Sequence, residues 1–226
     1  MRRTVILATL FVLAVFASVG ARADVGLPGV FADGMVFQCQ AKCPVWGTAG
    51  EGEQVTVSFR EWTATGTAKA GVWCVDVDAG EAGGPFVLTV QGTNRIEIHD
   101  VYVGDVWIVS GQSNASQAAT FETPKDDPDG VRFHLTAELA AKDGGTRWVT
   151  GGRVAMLGWH FGREMRLRHK VPIGIISCAW GGTSIEQWKP GPISHRVPIP
   201  QGPWSMVHCP WSLQRNEMCS ISETSS

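Results

Sequence analysis

The chain is poor in charge. Of its 226 residues 18% are Asp, Glu, Lys or Arg, and the formal net charge is -2 at pH 7. So weak a field gives no electrostatic basis for binding nucleic acid or an anionic membrane surface. Tyrosine is nearly missing, with one residue against 10 Trp and 9 Phe. The six cysteines, Cys39, Cys43, Cys74, Cys178, Cys209 and Cys219, form no Cys-x-x-Cys and no paired His-Cys arrangement, which argues against a structural zinc site. Cys39 with Cys43 or Cys74 is a conceivable disulfide, and buried thiols are an equal reading. Outside the N-terminus no apolar run is long enough to span a bilayer.

What is present is a globular composition, 44% hydrophobic, too apolar for a disordered chain. The 27 Gly point to many turns and close backbone approaches. The Trp residues suit either a core or stacking on sugar rings, and the core is the stronger reading because an indole buries a large apolar area. The N-terminus reads as a secretory signal. Arg2 and Arg3 precede an uncharged apolar run over residues 4–19, and Ala21-Arg22-Ala23 places small residues where a signal peptidase cuts. The run is shorter than the ~20 residues a membrane anchor needs. The expectation is cleavage after Ala23 and an exported protein, periplasmic or extracellular, with no membrane attachment afterwards.

Residues 24–100 read as a domain of short strands. Residues 54–59 and 73–78 alternate polar and apolar, and residues 86–90 and 95–98 follow, separated by Gly- or Asn-containing turns. That spacing predicts a small antiparallel β-sandwich. The pattern changes near Tyr102. Residues 106–110 form a continuous apolar run, as in a strand buried on both faces of a parallel sheet. Gly111 ends it, and a helix is expected after Ser113. Residues 131–135 suit another strand. Val154, Leu157, Phe161, Met165 and Arg168 recur at helical spacing, predicting an amphipathic helix over 153–170 with Gly158 and Gly162 permitting close packing. Pro172 stops it, residues 173–178 read as a buried strand, and Gly181-Gly182 follow. Residues 101–189 thus predict an α/β layer arrangement, whose ligands bind beyond the carboxyl ends of the strands. Ser113 and Gly182 both fall there. From residue 190 to 226 the chain is a Pro-rich, aperiodic tail.

A serine hydroxyl needs a base, a group to orient that base, and donors for the developing oxyanion. Ser113 follows a buried strand on a Gly turn that opens a helix. Its own N–H is then an unpaired helix N-terminal donor, and Gly182 can add a second. The plainer alternative is that Ser113 only caps the helix. The surroundings are not the G-x-S-x-G elbow, because Asn114 and Ala115 follow. Asp126, Asp127 and Asp129 have the look of a cation loop but lack EF-hand spacing and its closing Glu, so an acidic turn is the better reading and no metal is expected. His195 and His208 are conceivable bases with nothing to mark them.

The segment from Asp105 to Asn114, with Gly111-Gln112-Ser113-Asn114 at its end, resembles the nucleophile segment of the sialate O-acetylesterase family, within the SGNH/GDSL hydrolases. Leu27-Pro28, Phe31-Ala32-Asp33-Gly34-Met35, Pro44-Val45-Trp46-Gly47, Phe161-Gly162-Arg163-Glu164 and Trp180-Gly181-Gly182-Thr183-Ser184-Ile185-Glu186-Gln187-Trp188 match in order. The resemblance implies a β-sandwich followed by a three-layer, flavodoxin-like α/β domain. It implies hydrolysis of O-acetyl esters on sialic acid or related sugars, with no metal or cofactor and an O-acetylated sugar or glycan as partner. Ser113 would be the nucleophile and Gly182 the oxyanion-hole glycine, acting through its backbone. Gln112, Asn114, Glu186 and Trp188 would border the substrate, although Glu186 and Trp188 suit equally the start and packing of a helix. Ala115 stands where the family usually has Met.

The resemblance fades near Trp188. The family's Asp-x-x-His is not found: His99, His134, His160, His169, His195 and His208 are preceded three residues earlier by Ile96, Val131, Leu157, Arg166, Pro192 and Ser205. Its Gln-Gly-Glu is not found either, since Pro203 follows Gln201-Gly202. The expectation is an incomplete α/β domain, from a frame change or a short paralogue, and a chain inactive on its own. The alternative function is a non-catalytic carbohydrate-binding or structural β-sandwich protein with a vestigial hydrolase half.

Overall fold

The computed structural model describes residues 23–128, 130–135 and 147–184. The signal segment before residue 23, the tail from residue 190, and Glu186, Trp188, His195 and His208 lie outside the described residues. No helix among the described residues is long and apolar enough to cross a membrane.

The described chain is mostly β-sheet with two helices. Its strands are β1 (Val36–Gln38), β2 (Lys42–Thr48), β3 (Gln54–Phe59), β4 (Trp62–Thr67), β5 (Val72–Asp78), β6 (Gly83–Gln91), β7 (Arg95–Gly111), β8 (Ala118–Phe121), β9 (Val131–His134), β10 (Trp148–Val149), β11 (Gly152–Ala155) and β12 (Ile173–Ala179). The helices are α1 (Ser113–Ser116) and α2 (Met156–His169). Strand β3 keeps the alternation read from its sequence: Val55, Val57 and Phe59 are buried and face the core. The same core takes Val45 from β2, Val75 and Val77 from β5, and Leu88 and Val90 from β6. Phe37, Phe59 and Phe86 meet edge-on inside it, with ring centroids 5.2 and 5.7 Å apart.

Strand β7 joins the two halves of the largest sheet. Its first half pairs antiparallel with β6, and its second half pairs parallel with β12 from Asp105–Ile173 to Gly111–Ala179. Strand β1 joins it parallel at Tyr102 to Gly104. The order of that sheet is β10-β9-β12-β7-β6-β3-β4, with β1 beside β7, and β2-β5 and β8-β11 form two further two-stranded sheets. The boundary expected between residues 100 and 101 therefore falls inside one continuous strand. At that point Asp100 takes φ 58 and the pairing with β6 shifts register, a bulge that lets one strand serve two differently directed neighbours.

Two expectations are corrected. Residues 106–110 are not buried on both faces: Trp107 is 39% and Ile108 43% exposed. Beyond Gly104 β7 has β12 on one side and no strand on the other among the described residues, so its edge and part of its faces meet solvent. The helix expected over 153–170 begins at Met156, because Val154 belongs to β11, which pairs with β8. Ala155 caps it without a side-chain hydrogen bond, so no capping residue marked the start; Leu157, counted as inward, is 56% exposed. The helix expected after Ser113 is present, as a single turn that ends where the chain turns into β8. Of the two readings of Cys39 and Cys43, the structure has the thiols: neither is in a disulfide.

The second core lies between α2 and the β9-β12-β7 sheet and contains Val109, Phe133, Ile173 and Ile175. Gly158 and Gly162 are the buried residues of α2. A Cβ at Gly158 would lie 2.9 Å from Ile175 Cγ2, and one at Gly162 would lie 2.8 Å from Val131 Cγ1. These glycines let the helix backbone sit directly on the branched side chains of the sheet.

His134, on β9, is 6% exposed, and its Nε2 lies 3.2 Å from the Gly29 carbonyl. Nδ1 has no hydrogen-bond partner among the described residues. Burial holds the imidazole pKa below the ordinary value, against the smaller raising effect of the Gly29 carbonyl. A base whose folded pKa is depressed gives stability that is whole above its unfolded pKa and is lost as pH falls. The unfolded chain is expected to take up the proton first below about pH 6.5, so stability should drop by at most about 1.4 kcal/mol per pH unit there. Urea midpoints between pH 5 and 7, roughly the histidine range, should show this slope in the unmodified chain and a flatter one in His134→Gln. Equal slopes would refute the assignment.

Candidate active site

Strands β7 and β12 run parallel and end at the same height, with Gly111 opposite Ala179. The loops leaving them meet there. Gly111 turns the chain out of β7 at φ 139, a conformation that favours glycine. Trp180 N–H donates to the Gly111 carbonyl at 2.8 Å and ties the two loops together. Ser113 opens α1, and its Cα is 4.0 Å from where a Cβ on Gly181 would stand. Gly182 follows at φ 80, with nothing within 4 Å of a Cβ position. The Thr183 hydroxyl closes that turn by donating to the Trp180 carbonyl at 2.7 Å.

The structure thus brings Ser113 and the Gly181-Gly182 turn to one crevice at the carboxyl ends of the sheet. Gln112, Ser113 and Asn114 are all exposed, while Ala115 is buried and packs into the second core. The Ser113 N–H donates to Gln112 Oε1 at 2.8 Å, and the Ser113 hydroxyl donates to the same oxygen at 2.7 Å. The Gln112 carbonyl accepts from Ala115 N and Ser116 N, each at 3.0 Å. Sequence reasoning treated the Ser113 N–H as an unpaired donor and placed Gln112 beside the substrate. In the structure that N–H is capped by the side chain before it. Trp180, 39% exposed at the head of the Gly turn, was not singled out from the sequence; its position directly after a buried strand was the available signal.

Among the described residues no imidazole is hydrogen-bonded to Ser113. Among the described residues the closest His–carboxylate pair lies elsewhere: His169 Nδ1 is 2.5 Å from Asp105 Oδ2. Asp105 pairs with Ile173 at the start of β12, six residues before Ala179 and so roughly 20 Å down the strand from the crevice at ~3.3 Å per residue. Asp105 also accepts from the Cys39 thiol and from Gln38 Nε2, each at 3.5 Å. Burial, then the Asp105 carboxylate, pushes the Cys39 thiol pKa up, which favours the thiol over the thiolate. A separate concavity of about 540 Å³ is lined by Asp33, Asp100, Arg132 and Trp148. Arg132 there donates to Asp100 at 2.9 Å and lies 4.1 Å over the Tyr102 ring. It pairs level with Gly174, near the same far end.

No group of three or more metal-ligating side chains occurs among the described residues. In the acidic turn, Asp127 binds Arg166 through both oxygens, at 2.9 and 3.0 Å, with Arg163 at 3.8 Å. That carboxylate holds helix α2 to the turn ahead of β9.

Residues 103–200 match the family described as carbohydrate esterase, sialic acid-specific acetylesterase, a stretch that includes Ser113 and Gly182. The rat sialate O-acetylesterase is 32% identical over 180 residues, covering 64% of this chain and 33% of that protein. The human sialate O-acetylesterase is 28% identical over 233 aligned residues, covering 83% of this chain and 45% of that protein. The chain therefore spans between a third and a half of the curated relatives it matches. In fold it is similar to the crystal structure of a carbohydrate acetylesterase from Xanthomonas citri, with a TM-score of 0.61 and 34% identity over 73% of this chain and 42% of that one.

Proposed function

We propose, from the chain's kinship with the sialate O-acetylesterases over the stretch that carries the crevice, that it has the nucleophile half of a carbohydrate O-acetylesterase site, with Ser113 as nucleophile. The supporting observation is the meeting of Ser113 and the Gly181-Gly182 turn at the carboxyl ends of two parallel strands. In this reading Ser113 Oγ attacks the acetyl carbonyl carbon and its proton passes to a base. The oxyanion takes the Ser113 and Gly182 N–H groups, each such donor worth about 10²–10³ in rate. Collapse releases the sugar hydroxyl, and water frees acetate from the acetyl-serine. Sialic acid or a related acetylated sugar is the substrate, and no step calls on a metal. The first four strands with β5 and β6 form the leading sandwich in this reading, and the signal segment implies action outside the cytoplasm.

With no imidazole on Ser113 among the described residues, unaided turnover is expected to stay at the residual level that binding and the oxyanion donors supply. The test supplies the base from solution. Acetate release from O-acetylated sialic acid is followed as imidazole is added. A rate that rises with imidazole above the protein-free control supports the reading; no rise at any concentration counts against it. A non-catalytic saccharide-binding role is the second reading. It predicts calorimetric binding of the deacetylated sugar with no acetate release.

A further inference from the structure

We propose that Gln112 is a positioning residue that holds the ester carbonyl's place on Ser113 in the resting protein and withdraws when an acyl group binds. The proposal rests on reading Ser113 as the nucleophile. One oxygen, Gln112 Oε1, accepts from the Ser113 N–H at 2.8 Å and from the Ser113 hydroxyl at 2.7 Å. A bound ester addresses the same two groups: its carbonyl oxygen takes the N–H, and the carbon beside it meets Oγ. An amide carbonyl is the nearest side-chain likeness of an ester carbonyl, and its resonance makes it inert to attack. Because the serine contact is to the amide oxygen and not its carbon, the arrangement stops short of reaction.

The device is built to move. Gln112 is exposed and stands next to the Gly111 turn. The Gln112 amide nitrogen donates no hydrogen bond among the described residues, where the two bonds to Ser113 are what hold the side chain. Breaking two neutral hydrogen bonds whose donors are then taken up by the ligand lowers apparent affinity by roughly tenfold. Until that happens the hydroxyl proton is engaged and the serine rotamer is fixed, so adventitious water and poor acyl donors face a closed seat.

The probe is methylboronic acid. Ser113 Oγ bonds to boron, the hydroxyl proton leaves to buffer, and the boron becomes a tetrahedral anion with an oxygen directed at the Ser113 N–H. Dissociation constants are measured by ¹¹B NMR for the unmodified chain, Gln112→Ala, Gln112→Glu and Ser113→Ala. Alanine empties the seat, and binding should tighten roughly tenfold. Glutamate keeps an acceptor of the same length, bonds both donors more strongly, and repels the boronate, so binding should weaken at least roughly tenfold. A purely structural Gln112 would not give opposite signs in the two variants. If Gln112→Ala binds no tighter than the unmodified chain while Ser113→Ala loses binding, this proposal is overturned and the nucleophile reading stands. If Ser113→Ala binds as well as the rest, or if nothing binds, both fall.

Discussion

Alanine at Ser113 is expected to abolish the imidazole-dependent acetate release of the unmodified chain, by about 10³-fold or more. The size follows from the chemistry. Without Oγ there is no acetyl-serine, so the reaction can proceed only by direct attack of water, with the crevice contributing binding and oxyanion donors alone. Those donors survive the substitution, because the Ser113 and Gly182 N–H groups belong to the backbone. The residual rate in Ser113→Ala should therefore not respond to imidazole beyond the protein-free slope. Diffusing imidazole lacks the effective molarity of a tethered base, so the unmodified chain should reach only a fraction of what a fixed imidazole would achieve. Mass spectrometry of the quenched reaction gives an independent reading: an acetyl group on the peptide containing Ser113, absent from the variant. Equal imidazole slopes in both proteins would remove Ser113 from the mechanism.

Leucine at Gly162 is expected to destabilise the chain by about 3 kcal/mol, the upper part of the range for overpacked cores. The space is already taken: a Cβ at this position meets Val131 Cγ1 at 2.8 Å and Ile175 Cγ1 at 3.2 Å. Both side chains are β-branched and stand on the sheet, so they have little rotamer freedom with which to yield. The helix would have to rise, and with it would go its cover over the second core. Gly162 is helical, so leucine there gains up to about 1 kcal/mol of propensity over glycine; that gain is too small to offset the clash. Leu157→Ala, at an exposed position of the same helix, is the control and should shift stability by no more than about 0.5 kcal/mol. Urea unfolding of the two variants reads the difference, and comparable midpoints would show that the close approach of α2 is not needed.

The physical origin of what could be read beforehand is uneven. Strand β3 was legible because Val55, Val57 and Phe59 alternate with polar residues and one face is buried. The crevice was legible because an apolar strand, a Gly turn and a serine follow in order, and a second strand ends on paired glycines. Strand β4, with the sequence Trp-Thr-Ala-Thr-Gly-Thr, alternates half-buried with exposed residues and has none fully buried; its inward side is Trp62 followed by small Ala64 and Gly66, a weak hydrophobic signal, and it is fixed by pairing with β3. The length of β7 was hidden by exposed His99 and Asp100, which break the apolar pattern where the strand bulges but does not end. Leu157 and Arg168 fit the helical period, yet the inward face of α2 is set by the small residues Gly158 and Gly162, which carry no hydrophobic signal. The Gln112 hydrogen bonds depend on a side-chain rotamer, and composition or period cannot reveal one.

The long strand β7 also sets an order in time. Its first half emerges from synthesis with its partner β6 already made, and a hairpin can close within microseconds. Its second half must wait for β12, whose residues are translated more than sixty positions later, on the order of several seconds at ~5–20 residues per second. Throughout that interval Val106, Trp107, Ile108 and Val109 present an apolar edge with open backbone donors and acceptors, while the first half of the strand is already paired with β6. One strand thereby joins a fast, local folding unit to a slow, non-local one, and the nascent chain is most exposed to misassociation at the very segment that will carry Ser113.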